Sequence, residues 1–368
     1  MKTPETIYHQ LIDSFTQRDV CFALYRLPWT DEPILVMQEE GEPVSLDRLE
    51  ELNQKKGFLL APFQLTTSRP AVLIRPAIVA HDWEEIKLAL QKWMARHPQP
   101  ANSCVSSRQD RLPDAQGSSE RDEKEIYTET FSRFILPLKE KQFRKLVLSR
   151  STVQPLHETF SPLATFIQAC NSYPRMMISL CHTPSTGTWI GSTPEIILSG
   201  HEKEWHTVAL AGTMPMQGEV MPTEWSKKNK EEQAFVGEYI RKTVKKFGSK
   251  LTEKGPYTAR AGQLVHLKTD FHFTLKDTDH LGCKNCIPLP PSADSRRKKP
   301  ISSFCKQSRT TVSSIPASSD GLTRKAIPPS MSICAACTWK EIQPPFMPEA
   351  VSCPTPRPIP NGKKRSRK

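Results

Sequence analysis

The sequence predicts a mixed fold, α+β or α/β, up to about residue 282, and an end to regular structure after that point. Three observations carry this. Apolar runs such as "VCFALYRLP" and "RMMISLCH" have the make-up of strands. "DWEEIKLALQKWMARH" has the 3.6-residue apolar period of an amphipathic helix. Past Gly282 both patterns vanish, and charge and composition change at the same place.

Taken in order, residues 1 to 96 read as a mixed segment, with "VCFALYRLP" and "AVLIRPAIVA" as strands. A helix follows, with Asp82 suited to its N-cap. Residues 97 to 123 are polar and rich in Pro, Ser, Gln and Gly, which marks a loop or linker. The next helix carries Tyr127, Phe131, Phe134, Ile135 and Leu138 on one face and leads into the strand "KLVLSR". A helix "PLATFIQACN" precedes a hairpin, "RMMISLCH" returning through the turn "TPSTG" as "TWIGSTPEIILSG". "EWHTVALAGTMP" is a strand, and the helix "TEWSKKNKEEQAFVGEYIRKTVKKFG" stops at Gly248, a residue suited to a C-terminus. "LVHLKTDFHFTL" alternates as a further strand.

Bulk properties narrow the class. No apolar run approaches the roughly 20 residues of a membrane span, and "MKTPETIYHQ" has no apolar signal region, so a cytoplasmic protein is expected. The net charge of +12 resembles a nucleic-acid signal, but its location argues against one. Of 51 Lys/Arg and 39 Asp/Glu, the last 86 residues hold 16 and 4, which leaves 35 of each sign before them. The same 86 residues hold 14 of the 33 prolines and 6 of the 10 cysteines.

Four polar features interrupt the apolar pattern. Lys145 opens an apolar strand, Glu195 follows Ser-Thr-Pro, "LAGT" ends a strand at Thr213, and Glu231 and Glu232 share a helix. Each alone has an ordinary reading as a solvated charge or a surface pair. Together and in this order, "KLVLSR", "GSTPEIIL", "ALAGTMP" and "KNKEEQAFVGEYI" resemble the chorismate-binding enzymes. That family includes isochorismate, salicylate, anthranilate and aminodeoxychorismate synthases. The resemblance runs in frame from about Lys124 to Gly282, through "GPYTARAGQLVHLKTDF".

The resemblance implies an α+β fold of the anthranilate synthase component I type. Two large antiparallel sheets pack face to face with helices outside and the active site between them. Here its C-terminal part is lost. It also implies roles. Lys145 matches the base that activates water, and needs a lowered pKa to serve. Glu195 matches the acid that protonates the departing ring hydroxyl. Glu232 matches a ligand of Mg2+, the implied cofactor. Gly212 and Thr213 match a loop that approaches the substrate carboxylate, and His266 lines the pocket. Ala211 stands where aminodeoxychorismate synthases have the nucleophilic lysine of "PIKGT", which disfavours a covalent route. Lys145, which anthranilate synthases lack, favours water as nucleophile. Isochorismate synthase is then the first reading and salicylate synthase the second, with chorismate as the small-molecule partner, no nucleic acid or membrane, and a monomer expected. Gln233 departs from the many relatives with His at that place, with no effect on the metal expected.

The family continues with motifs resembling "HPTPAVCG.P", "LYVNLRCM", "LYAGGG" and "EWEET", and none is present. The genetic code accounts for them. If the last base of each codon is read with the first two of the next, Cys286 to Pro300 permits "LHPTPAVCGLPKEEA" and Pro329 to Cys337 permits "LYVNLRCM". Pro345 to Ser352 permits "LYAGGGL", and Ile359 to Ser366 permits "SEWEETE". Asn285 followed by Cys286 gives only Leu, Trp339 followed by Lys340 only Glu, and Met347 followed by Pro348 only Ala. One shift near the codon of Gly282 restores every motif in order. The rival reading is a zinc or nucleic-acid module using Cys283, Cys286, Cys334 and Cys337 with the basic runs "RRKK" and "KKRSRK". Its two pairs are 47 residues apart, far beyond the usual ~15–20. The out-of-frame reading makes residues 283 to 368 a disordered basic tail and the chain, as written, inactive.

Overall fold

The computed structural model describes residues 6–52, 55–62, 65–97, 123–140, 148, 156–157, 159–201, 203–216, 218–276 and 332–333. The first part comprises α1 (Thr6–Phe15), β1 (Phe22–Arg26), β2 (Pro33–Met37), β3 (Val44–Leu46), β4 (Phe58–Ala61), β5 (Ala71–Ile74), β6 (Ile78–His81), α2 (Asp82–Arg96) and α3 (Glu123–Lys139). The second comprises α4 (Pro162–Ser172), β7 (Met177–Thr183), β8 (Gly187–Thr193), β9 (Ser199–His201), β10 (Glu204–Pro215), α5 (Lys227–Phe247), β11 (Gly248–Ala261) and β12 (Leu264–Leu275). A two-residue β13 (Ser332–Ile333) closes the order. Among the described residues no helix is long and apolar enough to cross a membrane.

The five-stranded antiparallel sheet β6-β2-β1-β7-β8 is covered on both faces. Phe22, Leu24, Leu35 and Leu180 meet Ile12, Phe15, Leu90, Trp93 and Phe166 of α1, α2 and α4 on one side. Ala23, Tyr25, Val36 and Cys181 meet Phe58, Leu60 and Ile74 of the small sheet β13-β4-β5-β3 on the other. That two-sided cover is why β1 is apolar at almost every position instead of alternating. The four-stranded antiparallel sheet β11-β12-β10-β9 lays Trp205, Ala209, Phe271 and Phe273 against Val236, Ile240 and Val244 of α5.

Prolines break two runs that read as single strands. "AVLIRPAIVA" is β5 and β6, which belong to different sheets, and the Ala77 N–H bonds back to Arg75 O across Pro76. "TWIGSTPEIILSG" is β8 and β9, with the chain leaving one sheet at Pro194 and joining the other at Ser199. A residue without an N–H cannot continue a ladder.

Helix ends follow side-chain chemistry. The N-cap position of α2 is His81, one residue before the Asp82 expected there, but Asp82 Oδ1 still accepts two first-turn amides, Glu84 N–H and Glu85 N–H, at 2.8 and 2.9 Å. Ser161 Oγ caps α4 through Ala164 N, and Asp13 of α1 accepts a second free amide, Leu163 N, at 2.8 Å. Gly248 follows the last turn of α5, but its φ of −108° is extended, not left-handed. Its need for glycine is space, since a Cβ there would lie 2.8 Å from the Phe273 ring. On α3 the expected apolar stripe is buried fully only at Phe134; Tyr127 and Phe131 are exposed and stack on each other. The expected strand "KLVLSR" falls largely outside the described residues.

Arg26 fastens β1 to the segment that follows α4. Its guanidinium, fully buried at the end of β1, donates to Tyr173 O, Pro174 O and Met176 O just past α4 at 2.7, 2.8 and 2.8 Å. Tyr173 in turn lies against Gly262 at the β11–β12 turn, where a Cβ would come within 3.1 Å of its ring.

Candidate active site

The site is organised by one extra residue in β10. Trp205, Ala209 and Ala211 point to α5, as their alternation requires. Ala211 pairs with Leu267, but the next pair is Thr213 with His266, so Gly212 is a bulge. The bulge reverses the alternation. Thr213 turns to the face opposite α5, where its Oγ1 meets His266 Nδ1 at 3.0 Å, and Met214 returns to the side of Val265 and Trp225. Gly212 has φ +69°, and a Cβ there would lie 3.1 Å from both Cβ and O of Asn229 in the first turn of α5. Glycine is needed on both counts.

Glu232 is half-buried on the same stretch of α5, and Gln233 beside it bonds the backbone of β10. Glu231 is exposed and pairs loosely with Lys227, the surface role its sequence setting suggested. Glu195 is half-buried in the crossover between β8 and β9, where its N–H donates to Thr193 Oγ1 at 3.1 Å. Thr207 Oγ1 ties this crossover to β10 through Ile197 O at 2.7 Å, four residues before Ala211, or about 13 Å along the strand. Gly212, Thr213 and His266 are thus brought together, whereas Glu232 lies on α5, on the other face of the sheet from the Thr213 and His266 side chains. Lys145 lies outside the described residues.

The face that carries Thr213 and His266 holds a polar cluster that the reading of the sequence missed. Asp270 Oδ1 accepts from His206 Nε2 at 3.2 Å and lies 3.0 Å from Lys268 Nζ, while its Oδ2 accepts from the Tyr257 hydroxyl. His272 stacks on His206 with ring centroids 4.5 Å apart. Burial alone would raise the Asp270 carboxyl, but these hydrogen bonds outweigh it and hold the group well below the usual carboxylate range. Burial pushes the Tyr257 phenol up and the His266 and His272 imidazoles down, which keeps both histidines neutral at pH 7. The sequence signal was present: His266, Lys268, Asp270 and His272 recur at every second residue of β12.

The residues present accommodate a hard cation in part. Mg2+ takes one or two protein carboxylates and completes its shell with water and substrate oxygens, and Glu232 suits one such place. Among the described residues no three His, Cys, Asp or Glu side chains gather closely enough to form a metal site by themselves. The three described cysteines, Cys21, Cys170 and Cys181, are free and buried, and burial pushes the thiols of Cys21 and Cys170 up to about 11.

The family model described as chorismate binding enzyme matches residues 45–282, more than half of the chain. The chain belongs to the chorismate-binding enzyme family. Among solved structures, this member of the family is similar to MenF, the menaquinone-specific isochorismate synthase of Escherichia coli. Identity there is 15%, the TM-score is 0.51, and the match covers 77% of this chain and 71% of MenF, a likeness of fold. It is also similar to DhbC of Bacillus anthracis, described as a 2,3-dihydroxybenzoate-specific isochorismate synthase. That match has 18% identity and a TM-score of 0.49, and covers 74% of each chain. A sequence search of the curated proteins finds no match.

Proposed function

We propose that this family member is an isochorismate synthase whose last quarter is read in a shifted frame. The observation that carries the substrate site is the bulge at Gly212, which sets a hydroxyl and a neutral imidazole side by side on the polar face of the sheet. Bonded to each other, the two leave one uncharged donor for a carboxylate or ring hydroxyl, the imidazole N–H or the hydroxyl according to the tautomer. In this reading Lys145 takes a proton from water as its oxygen bonds to the ring. The ring double bonds shift, and the departing hydroxyl takes a proton from Glu195, so one water enters and one leaves. Glu232 would hold Mg2+, which would supply charge neutralisation for the ring carboxylate.

As written, the chain lacks the arginine of the "NLRC" motif and the glutamates of the "EWEET" motif that the family resemblance assigns to the carboxylate and the metal. Weak or no turnover is expected of it. The test expresses the chain as written and with the frame restored near codon 282, then follows chorismate with and without Mg2+. Isochorismate formed by the restored chain alone supports the proposal. Pyruvate as a main product moves the assignment to salicylate synthase. Stoichiometric zinc in the chain as written would overturn the frame reading in favour of a cysteine-bound metal module.

A further inference from the structure

Gln233 is 2% exposed, on the face of α5 that packs against the sheet, and its amide is fully used. Oε1 accepts the Ala211 N–H at 2.9 Å, and Nε2 donates to Ala209 O at 3.0 Å and to Thr269 Oγ1 at 2.9 Å. Ala209 and Ala211 are the last two α5-facing residues before the bulge, and Thr269 is the cross-strand partner of Ala209. The side chain therefore grips both strands at the last regular pair positions. One turn earlier on the helix, Asn229 closes the space over Gly212.

We propose that Gln233 is a positioning residue that holds the Gly212 bulge in phase with α5, so that the Thr213 hydroxyl keeps its place beside His266 on the polar face of the sheet. The inference rests on the chorismate site proposed above. An apolar side chain at 233 would fasten the helix to the sheet at no particular strand phase. Gln233 cannot: a one-residue slip of β10 would turn the Ala209 carbonyl and Ala211 amide away from it. A buried amide left without those partners is destabilising, so the bonds select the phase shown.

The test compares Gln233→Leu with Val236→Ala, a core truncation on the same helix face, in the full chain. Two quantities are read: backbone hydrogen exchange at Ala211, and chorismate affinity in the presence of Mg2+. Gln233→Leu should speed exchange at Ala211 at least tenfold and weaken chorismate about tenfold. Val236→Ala should lower the melting temperature while changing both readouts less than twofold. Equal effects of the two variants, or an unchanged Ala211 amide in Gln233→Leu, would overturn the proposal. If neither the chain as written nor the frame-restored chain binds chorismate, the substrate reading falls, and the exchange comparison alone decides whether Gln233 holds the bulge.

Discussion

Thr213 and His266 are cross-strand partners whose side chains meet at 3.0 Å only because Gly212 is inserted between Ala211 and Thr213. Without that residue Thr213 would face the apolar side of α5. Thr213→Val keeps a β-branched shape and removes only the hydroxyl. Net loss of one hydrogen bond is about 0.5–1.5 kcal/mol, so chorismate affinity should fall roughly 2- to 12-fold at 1.4 kcal/mol per tenfold. Titration calorimetry checks this.

His182 should make the fold acid-sensitive. Burial lowers its pKa, against the raising effect of its bond to Arg18 O, while Nδ1 meets Thr188 Oγ1 at 2.9 Å. A base with a folded pKa below its unfolded value of about 6.5 binds more protons when unfolded. Stability then rises with pH through that range and is lost as pH falls below about 6.5. Urea midpoints should drop between pH 7 and 5, and His182→Gln should reduce the drop.

Asp270 acts in a lower window. Its depressed pKa stabilises the fold above the unfolded value of about 3.9 and the contribution is lost as pH falls further. Asp270→Asn leaves His206, Lys268 and Tyr257 with a weaker acceptor. It should cost about 1–3 kcal/mol at pH 7 and flatten the acid limb of the stability curve, which urea unfolding at pH 2 to 5 measures.

Arg26→Met should cost about 3 kcal/mol or more, because three carbonyls beyond α4 lose their donor at once. Arg26→Lys should restore little, since an ammonium lacks the planar fork that spans them. Thermal unfolding of both variants decides this.

What could be read from the chain differs by residue. β10, α5 and β12 were legible because their apolar periods are long and set by one covering layer. The Gly212 bulge was not, because it is fixed from outside the strand by Asn229 and Gln233, and Gln233 in sequence looks like any polar residue of a helix. Pro76 and Pro194 were visible, but not that the chain changes sheet at each. α1 and β2 to β4 were too short or too uniformly apolar to announce themselves. Of the candidate site, Gly212, Thr213, Glu232 and His266 were singled out through family resemblance, and the structure adds the meeting of Thr213 with His266, whereas the Asp270 cluster needed the pairing of β10 and β11 with β12.

The bulge also determines which kind of genetic change the site can survive. A substitution at position 212 strains one backbone unit and leaves every neighbour facing as before. Deleting the codon would do the reverse: it would relieve the strained turn and transpose all that follows in β10. Thr213 would be pressed toward the helix and Met214 exposed on the polar side. A screen of single-codon deletions along residues 204–215 should therefore show loss of ligand binding sharply centred on 212, at a position where conventional alanine scanning would register mainly a stability defect.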